Sequence, residues 1–485
     1  MFHVSDVKRY LRCSKLFCLY NEDPQDTSIP YIRSGEDISL QFAKKLKITN
    51  YYLGHQGDDK DRFRKHFDEY EWFIKARLEA YGLRVKLPII HKVKKGVDVY
   101  FTYYGLFPKN GELIFYRLHL EVLRLNGFRI NNVYIMHLNG DFLYDGQALD
   151  YDKLFVISSY LYNRNNNPNY YLNNELRHRI DIKKLIQEMR ESDLNNCPTV
   201  KSKRCLNPER CPFYQKCFGD DSLLADDSIY TLTGGPNKDE LYQNGIHYLK
   251  DISDQLSEIS RLQFAQIMAS RNDGIFYDLY PLKAYMEQLE GEEISFIDFE
   301  WDRYLIPPYK DLKPLDVVCF EFALFILKKD GSLEHHTFIA DGDCREEFIK
   351  KLLKHLPKSG PIIAYNAFGA EVLRLKELAN QFPDYSDELN ALTLRFKDLA
   401  FPFINGLIYH TAMRGEFNLK RIVAVVSDKT YDDLNIRDGM EAVIKWRNSD
   451  ASNQQEIIDD LKAYCSLDAY GLYLIYSWLK HLLKA

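Results

Sequence analysis

The chain has 485 residues, 46% of them hydrophobic and 28% charged, which predicts two or three folded domains and excludes a disordered or fibrous protein. Its 64 basic and 70 acidic side chains give a formal charge of −6, which excludes nucleic-acid binding by bulk positive charge alone. Nine cysteines are too dilute for a disulfide scaffold, no apolar run reaches the ~18–20 residues of a membrane span, and Met1–Tyr10 is charged where a signal peptide is apolar. The expected setting is a reducing cytoplasm without membrane contact, where clustered thiols point to metal.

The first half carries a dispersed set of cysteines. Cys13 stands in Tyr10-Leu11-Arg12-Cys13-Ser14-Lys15-Leu16, and much later Cys205, Cys211 and Cys217 recur at six-residue intervals among Lys203, Arg204, Arg210 and Lys216. Zinc ribbons use pairs with gaps of about two to four residues, which this segment lacks. A [4Fe–4S] cluster with one cysteine far upstream is the alternative, and Cys13 fits that role. Cys18 and Cys197 are spare candidates, Cys197 competing with Cys13, and zinc or unliganded thiols stay open. The arrangement resembles the iron–sulfur members of the RecB-like PD-(D/E)XK nucleases. That resemblance implies an α/β PD-(D/E)XK fold over residues 1–222, with Cys13, Cys205, Cys211 and Cys217 holding the cluster.

A RecB-like site also needs an Asp on one strand and Glu-x-Lys on the next, because the carboxylates hold Mg²⁺ while the Lys stabilises charge. Asp98, in the strand Val97–Phe101, could supply the first acid. The next stretch, Tyr103–Lys109, offers no Glu-x-Lys, Glu112 is followed by Leu113 and Ile114, and Asp181-Ile182-Lys183 opens a charged helix. The expectation is a catalytically degenerate module that binds nucleic acid or serves as a scaffold, with His119 and Glu121 as packing or surface residues. Asn163–Asn174 reads as a surface loop.

Breakers at Gly219–Ser222 and Leu232–Asn237 mark a boundary. Residues 223–290 read as a helical connector in which Lys238–Ile246, Leu249 and Ile252 suggest a helix, a Gly245 turn and a second helix. Such pairs are similar to helix-hairpin-helix elements that contact phosphate backbones.

From 291 to 485 the texture is α/β. Strands are expected at Ile294–Glu300, Val317–Leu327 and Glu334–Ala340, then a helix at 344–356, a buried strand at 361–365, a helix at 368–381 and a terminal helix at 454–483. Asp298 and Glu300 lie two apart on a strand and share a face. Glu371 follows Asn366 near a helix start, and Tyr464 and Asp468 stand at i and i+4 on one helical face. Asp398 reads as a loop or strand-end acid beside the site, and His410 and Arg414 as candidate phosphate contacts.

These residues resemble the DEDD exonucleases of the DnaQ-like, RNase-H-like fold, in the subclass with a tyrosine in the last motif. The resemblance implies a 3′–5′ exonuclease in which Asp298, Glu300, Glu371 and Asp468 hold two Mg²⁺ or Mn²⁺ ions and Tyr464 orients the attacking water. The third acid is Glu rather than the usual Asp, and its spacing from Asn366 is long, which puts one metal position in doubt. The whole chain resembles an uncharacterised bacterial family that fuses a RecB-like module to a DEDD-like exonuclease. A non-catalytic nucleic-acid-binding or assembly protein is the competing expectation, and thiol-gated binding a third.

Overall fold

The structure is a computed structural model and describes residues 1–24, 37–200, 202–206, 210–220, 223–235, 238–253 and 259–484. Breaker positions 221–222 and 236–237 lie outside the described residues. The chain divides into two compact units, Met1–Asp221 with Tyr304–Asp316, and Ser222–Arg303 with Val317–Ala485. Both are mixed α/β. No helix among the described residues is long and apolar enough to cross a membrane.

The first unit is organised by one seven-stranded mixed sheet: β1 (Phe2–His3), β2 (Tyr51–Leu53), β3 (Trp72–Ala80), β4 (Leu83–Val93), β5 (Gly96–Thr102), β6 (Ile130–Leu138) and β7 (Phe155–Ser158). The order is β2-β3-β4-β5-β6-β7, with β1 joining the start of β4. In β4, Leu83, Val85, Leu87 and Ile89 alternate into the core, the period of two that a pleated strand imposes. The β3–β4 turn needs left-handed backbone at both Tyr81 (φ 54°) and Gly82 (φ 95°). Strands β5 and β6 run parallel and so require a crossover, supplied by the helix Leu113–Leu125, which buries Leu118, Leu120, Val122 and Leu123. Tyr103–Lys109 is loop.

A separate hairpin, β8 (Tyr160–Tyr162) and β9 (Pro168–Tyr171), occupies part of the stretch expected to be loop. The asparagines form its turn, since the Asn163 side chain accepts from the N–H groups of Asn165 and Asn167.

The second unit carries β10 (Ile275–Tyr277), β11 (Ile294–Arg303), β12 (Val317–Leu327), β13 (Leu333–Ile339), β14 (Ile362–Ala364), β15 (Phe396–Asp398) and β16 (Ile408–His410). Five strands form a sheet in the order β13-β12-β11-β14-β15. The first three are the expected antiparallel meander, and β14 and β15 add in parallel. The terminal helix Gln454–Leu482 lies on β11 and β12. Ala323 faces Cys465 and Ala469 across this contact, and their small side chains let helix and sheet approach closely.

Two elements differ from the sequence expectation. The helix expected from 368 begins at Glu371, because Asn366 turns the chain at φ 55° while its N–H donates to Asp398 Oδ1 at 2.7 Å. After Gly245 a single 3₁₀ turn, Leu249–Asp251, replaces the second helix. Leu249 and Ile252 are drawn into a cluster with Ile229 and Ile267, and Leu249 N–H donates to the carbonyl of Asp227.

Strand β11 is anchored at its end by Asp302, 2% exposed, which accepts from the Arg447 guanidinium at 2.5–3.1 Å. Removing one partner of a buried pair strands the other charge, which costs about 3–5 kcal/mol. Arg447→Met is therefore expected to lower the stability of the second unit by that amount, read as a shift of its urea midpoint.

Candidate metal centre

Strand β11 presents Asp298 and Glu300 on one face, and the terminal helix brings Asp468 against them. Ligand atoms of these three carboxylates all lie within 4.8 Å of one another, the metal-ligand-type set found among the described residues. The ladder between β11 and β12 shifts register between Glu300 and Trp301, a bulge that re-aims the end of the strand. Glu300 and Asp468 are buried and Asp298 is half-buried.

Burial and charge crowding together set the electrostatics of the site. At an effective dielectric constant of about 20, two full charges at this separation repel by about 3.5 kcal/mol, so three ionised pairs repel by about 10 kcal/mol. That rivals the ~5–15 kcal/mol stability of a whole domain. Burial and then the neighbouring acids push the Asp298 carboxyl well above the usual range, with Asp468, Glu300 and Glu371 all contributing. Glu300 is raised likewise by burial and by Glu321 and Asp468. For Asp468, burial raises the carboxyl against opposing bonds from Tyr431 and Tyr464 and the charge of Lys420. The set keeps its negative charge only if cations enter, and hard oxygen donors suit Mg²⁺ or Mn²⁺.

Glu371 opens the helix Glu371–Gln381 and is buried, within electrostatic reach of Asp298 and Glu300 but outside the closely set trio. Its Oε2 has no hydrogen-bond partner, and burial raises its carboxyl to about 8. Tyr464 is buried one turn before Asp468, and its hydroxyl reaches that carboxylate.

Three neighbours escaped the sequence reading. Tyr431 donates to Asp468 Oδ1 at 2.5 Å from a loop 37 positions upstream. Lys420 lies over the rings of Tyr431 and Tyr464, 5.1 and 4.9 Å from their centroids. Glu321 is paired in register with Glu300 across β11 and β12, is fully buried with both oxygens unpartnered, and is raised to about 8 by burial. Only Glu321 left a sequence signal, as an acid inside the apolar run Val317–Leu327.

The remaining acids and bases serve the backbone. Asp398 accepts from the N–H groups of Asn366 and Ala400 and so shapes the loop ahead of Glu371. His410 caps a turn by accepting from Ala412 N–H, and Arg414 pairs with Asp226 at 3.3 Å. In the first unit, Asp98 accepts from the backbone and side chain of Asn132, Asp181 caps the helix Ile182–Glu191, and Glu121 is ion-paired with Arg124 and Arg179. These acids form no metal-ligand set among the described residues.

Cys13, Cys205, Cys211 and Cys217 line one cavity of about 30 Å³ in the first unit. Burial raises the thiols of Cys211 and Cys217, opposed in part by Arg12 and Lys15 respectively. Among the described residues, no three sulfurs converge within 4.8 Å of one another as single-ion ligands do. Cys18 and Cys197 do not line this cavity; their sulfurs meet each other 3.5 Å apart in the core.

Residues 295–418 match the model of a family described as Domain of unknown function (DUF2779). No curated protein matches the chain. A solved structure, the family B DNA polymerase from the hyperthermophilic archaeon Pyrobaculum calidifontis, aligns with 40% of this chain at 15% identity and a TM-score of 0.27. The match spans a quarter of the polymerase chain.

Glu321 and Glu371 have carboxyls raised from 4.5 to about 8 in the fold. Stability tied to this shift is full below pH 4.5 and is lost as the pH rises through about 8. In EDTA the melting temperature of the second unit is expected to fall across that window, and Mn²⁺ is expected to flatten the fall. Asp298→Asn, which removes one crowded acid, is expected to raise the metal-free midpoint by about 2–4 °C for each kcal/mol of repulsion relieved. Calorimetry at pH 6 and pH 9 reads both effects.

Proposed function

We propose that the second unit is a metal-dependent nuclease of RNase-H-like, DEDD type that removes nucleotides from the 3′ end of DNA or RNA. The observation that carries this is the convergence of Asp298, Glu300 and Asp468, largely buried, within 4.8 Å of one another, with the charge of Lys420 reaching Glu300 and Asp468. Polarity and substrate class follow from the motif resemblance. Asp298, Glu300 and Asp468, with Glu371 as the outlying fourth, would hold two Mg²⁺ or Mn²⁺ ions. When bound, such ions activate water and stabilise the attacking and leaving oxygens of a phosphodiester.

The chain's own residues set up that chemistry. Tyr431 fixes the Asp468 carboxylate by donating its hydroxyl, which leaves the other oxygen for a cation. Tyr464 stands between Asp468 and the start of the helix Gly439–Arg447, with its hydroxyl about 4.0 Å from where a Cβ on Gly439 would lie. There it can orient a water but, with its hydroxyl held far from ionisation by burial and nearby acids, it does not serve as a base.

For the first unit we propose a RecB-like fold without nuclease activity that carries a [4Fe–4S] cluster on Cys13, Cys205, Cys211 and Cys217 and contributes to nucleic-acid binding. Four thiols around a single cavity, with Arg12 and Lys15 beside them to offset thiolate charge, suit that group. Glu371, standing apart from the trio, is the observation that favours a non-catalytic nucleic-acid-binding protein instead.

With end-labelled DNA and RNA, mononucleotide release that requires Mg²⁺ or Mn²⁺ is expected. Outer partners of metal ligands are typically worth about 10–100-fold, so Asp298→Ala and Asp468→Ala are expected to lose at least about 100-fold and Tyr431→Phe about 10–100-fold. Binding without cleavage in either metal, or full activity in both alanine variants, would falsify the nuclease reading. Anaerobic preparations are expected to hold iron and acid-labile sulfide in equal amounts, both lost in Cys211→Ser; zinc in their place would overturn the cluster.

A further inference from the structure

The first unit holds a second cavity, distinct from the cysteine site, of about 590 Å³. It is lined by Arg77 from β3, by Arg84 and Lys86 from β4, by His119 from the helix Leu113–Leu125, by His3 and by Gln56. The lining contains no carboxylate. Arg84 is already engaged, pairing with Glu79 at 3.4 Å and donating to the carbonyls of Gln56 and Asp58. Arg77 and Lys86 are not, for neither has a carboxylate within 4 Å among the described residues, and the buried Arg77 Nη1 has no hydrogen-bond partner at all.

Nearby acids are committed elsewhere. Asp58, whose charge is felt by Arg77, accepts from the Tyr52 hydroxyl at 2.6 Å and from His55 N–H at 2.9 Å. Asp37, felt by Lys86, is held in an ion pair by Lys75. Burial and like charge therefore both act against the cations of the cavity: Lys86 is lowered by burial and by Lys75 and Arg77, and Arg77 by burial and by Arg84. His119 is lowered by burial, with its Nδ1 at 2.6 Å from the carbonyl of Phe115. A lining that holds Arg77, Arg84 and Lys86 and no carboxylate is the inverse of the carboxylate trio, and the unpaired charges of Arg77 and Lys86 call for an anion.

The donors also select the kind of anion. A carboxylate is satisfied by one bidentate arginine. Here a guanidinium and an ammonium approach from two strands, beside the start of the helix Val4–Arg12, whose Val4 and Ser5 reach the cavity and whose first-turn acid, Asp6, is paired with Arg9 at 3.0 Å. A tetrahedral oxyanion presents oxygens in enough directions to meet cations from separate strands. The volume falls in the ~300–1,000 Å³ range of small-molecule sites and exceeds what a lone phosphate fills.

We propose that this cavity binds the phosphate monoester of a nucleotide-sized ligand, with Arg77 and Lys86 as its principal contacts. The terminal phosphate of an oligonucleotide and a free mononucleotide offer the same chemistry. The site is independent of the proposed nuclease centre, and the test keeps the two apart.

Isothermal titration of the full chain in EDTA compares inorganic phosphate, a nucleoside 5′-monophosphate, and one oligonucleotide carrying either a 5′-phosphate or a 5′-hydroxyl. The monophosphate is expected to bind more tightly than inorganic phosphate, and Arg77→Met and Lys86→Met to weaken it at least tenfold each, while Asp298→Ala binds as the parent does. A tenfold preference for the 5′-phosphorylated oligonucleotide assigns the site to nucleic-acid ends; equal binding of the two forms assigns it to free nucleotides. Lys86→Met removes a charge from a repulsive cluster and is expected to fold at least as stably as the parent, so it carries the test if Arg77→Met misfolds. No binding by any probe, no gain of the monophosphate over inorganic phosphate, or unchanged affinity in Lys86→Met would overturn the proposal.

Discussion

Like charge held in a space from which water is largely excluded is the constraint on which the second unit is built. Asp298, Glu300 and Asp468 would each be comfortable at a surface, where a carboxylate at 4.8 Å from another is screened. Buried, they repel by an amount comparable to a domain's stability. Such an arrangement persists only if the surrounding scaffold over-determines it, and the surroundings here do. In the meander, β12 pairs with β11 on both sides of the bulge after Glu300 and with β13 over Glu321–Leu327. The terminal helix approaches it through Ala323, Cys465 and Ala469, and the Arg447–Asp302 pair clamps the strand two residues past Glu300. Rigidity bought in this way keeps the acids from swinging apart, which is what a high-affinity cation site requires.

Tyr431 and Lys420 refine this picture. A carboxylate among other carboxylates can rotate to reduce repulsion, and the 2.5 Å bond from Tyr431 prevents Asp468 from doing so. Lys420 supplies one positive charge near Glu300 and Asp468, but its ammonium sits over two aromatic rings and donates to the carbonyl of Arg437, so it tempers the field without forming an ion pair with either acid. Glu321, opposite Glu300, adds a further buried carboxyl, which burial raises to about 8.

What the sequence made legible follows from the range over which each physical signal acts. Signals such as the apolar run of β12 are local, so strands β11 to β14 and the terminal helix were readable to within a few residues, while the three-residue strands β10, β15 and β16 were not. Asp298 with Glu300, and Tyr464 with Asp468, are pairs fixed by the periods of strand and helix, and they were readable for the same reason. That the two pairs face one another depends on the sheet order and on the small residues under the helix, which no local period encodes. Tyr431 lies in a loop with no periodicity, and its role depends wholly on where that loop returns. The helix start at Glu371 was misplaced because the turn depends on Asp398, 32 positions from the Asn366 N–H it accepts. The second helix after Gly245 was over-read because Leu249 and Ile252 have helical spacing but satisfy it by joining a cluster with Ile229 and Ile267.

The two units also show one electrostatic principle used with opposite sign. In the second, acids outnumber the cations that reach them, and the deficit is of positive charge; in the first, the Arg77–Lys86 cavity lacks acids, and the deficit is of negative charge. Unbalanced charge opposes folding in proportion to its burial, which is greater at the carboxylates than at the half-buried Arg77 and the exposed Lys86. A chain whose formal charge is only −6 has ample partners to neutralise both places from within. Asp58 and Asp37 stand near the cationic cavity and are tied to Tyr52 and Lys75 instead, while Arg374, beside Glu371, is held by Glu377 at 2.7 Å. In each case a neutralising group is within reach and is diverted to another partner. Diversion leaves the charge to be met by a ligand, so the composition near neutrality and the two unbalanced pockets are consistent features of one chain rather than a contradiction.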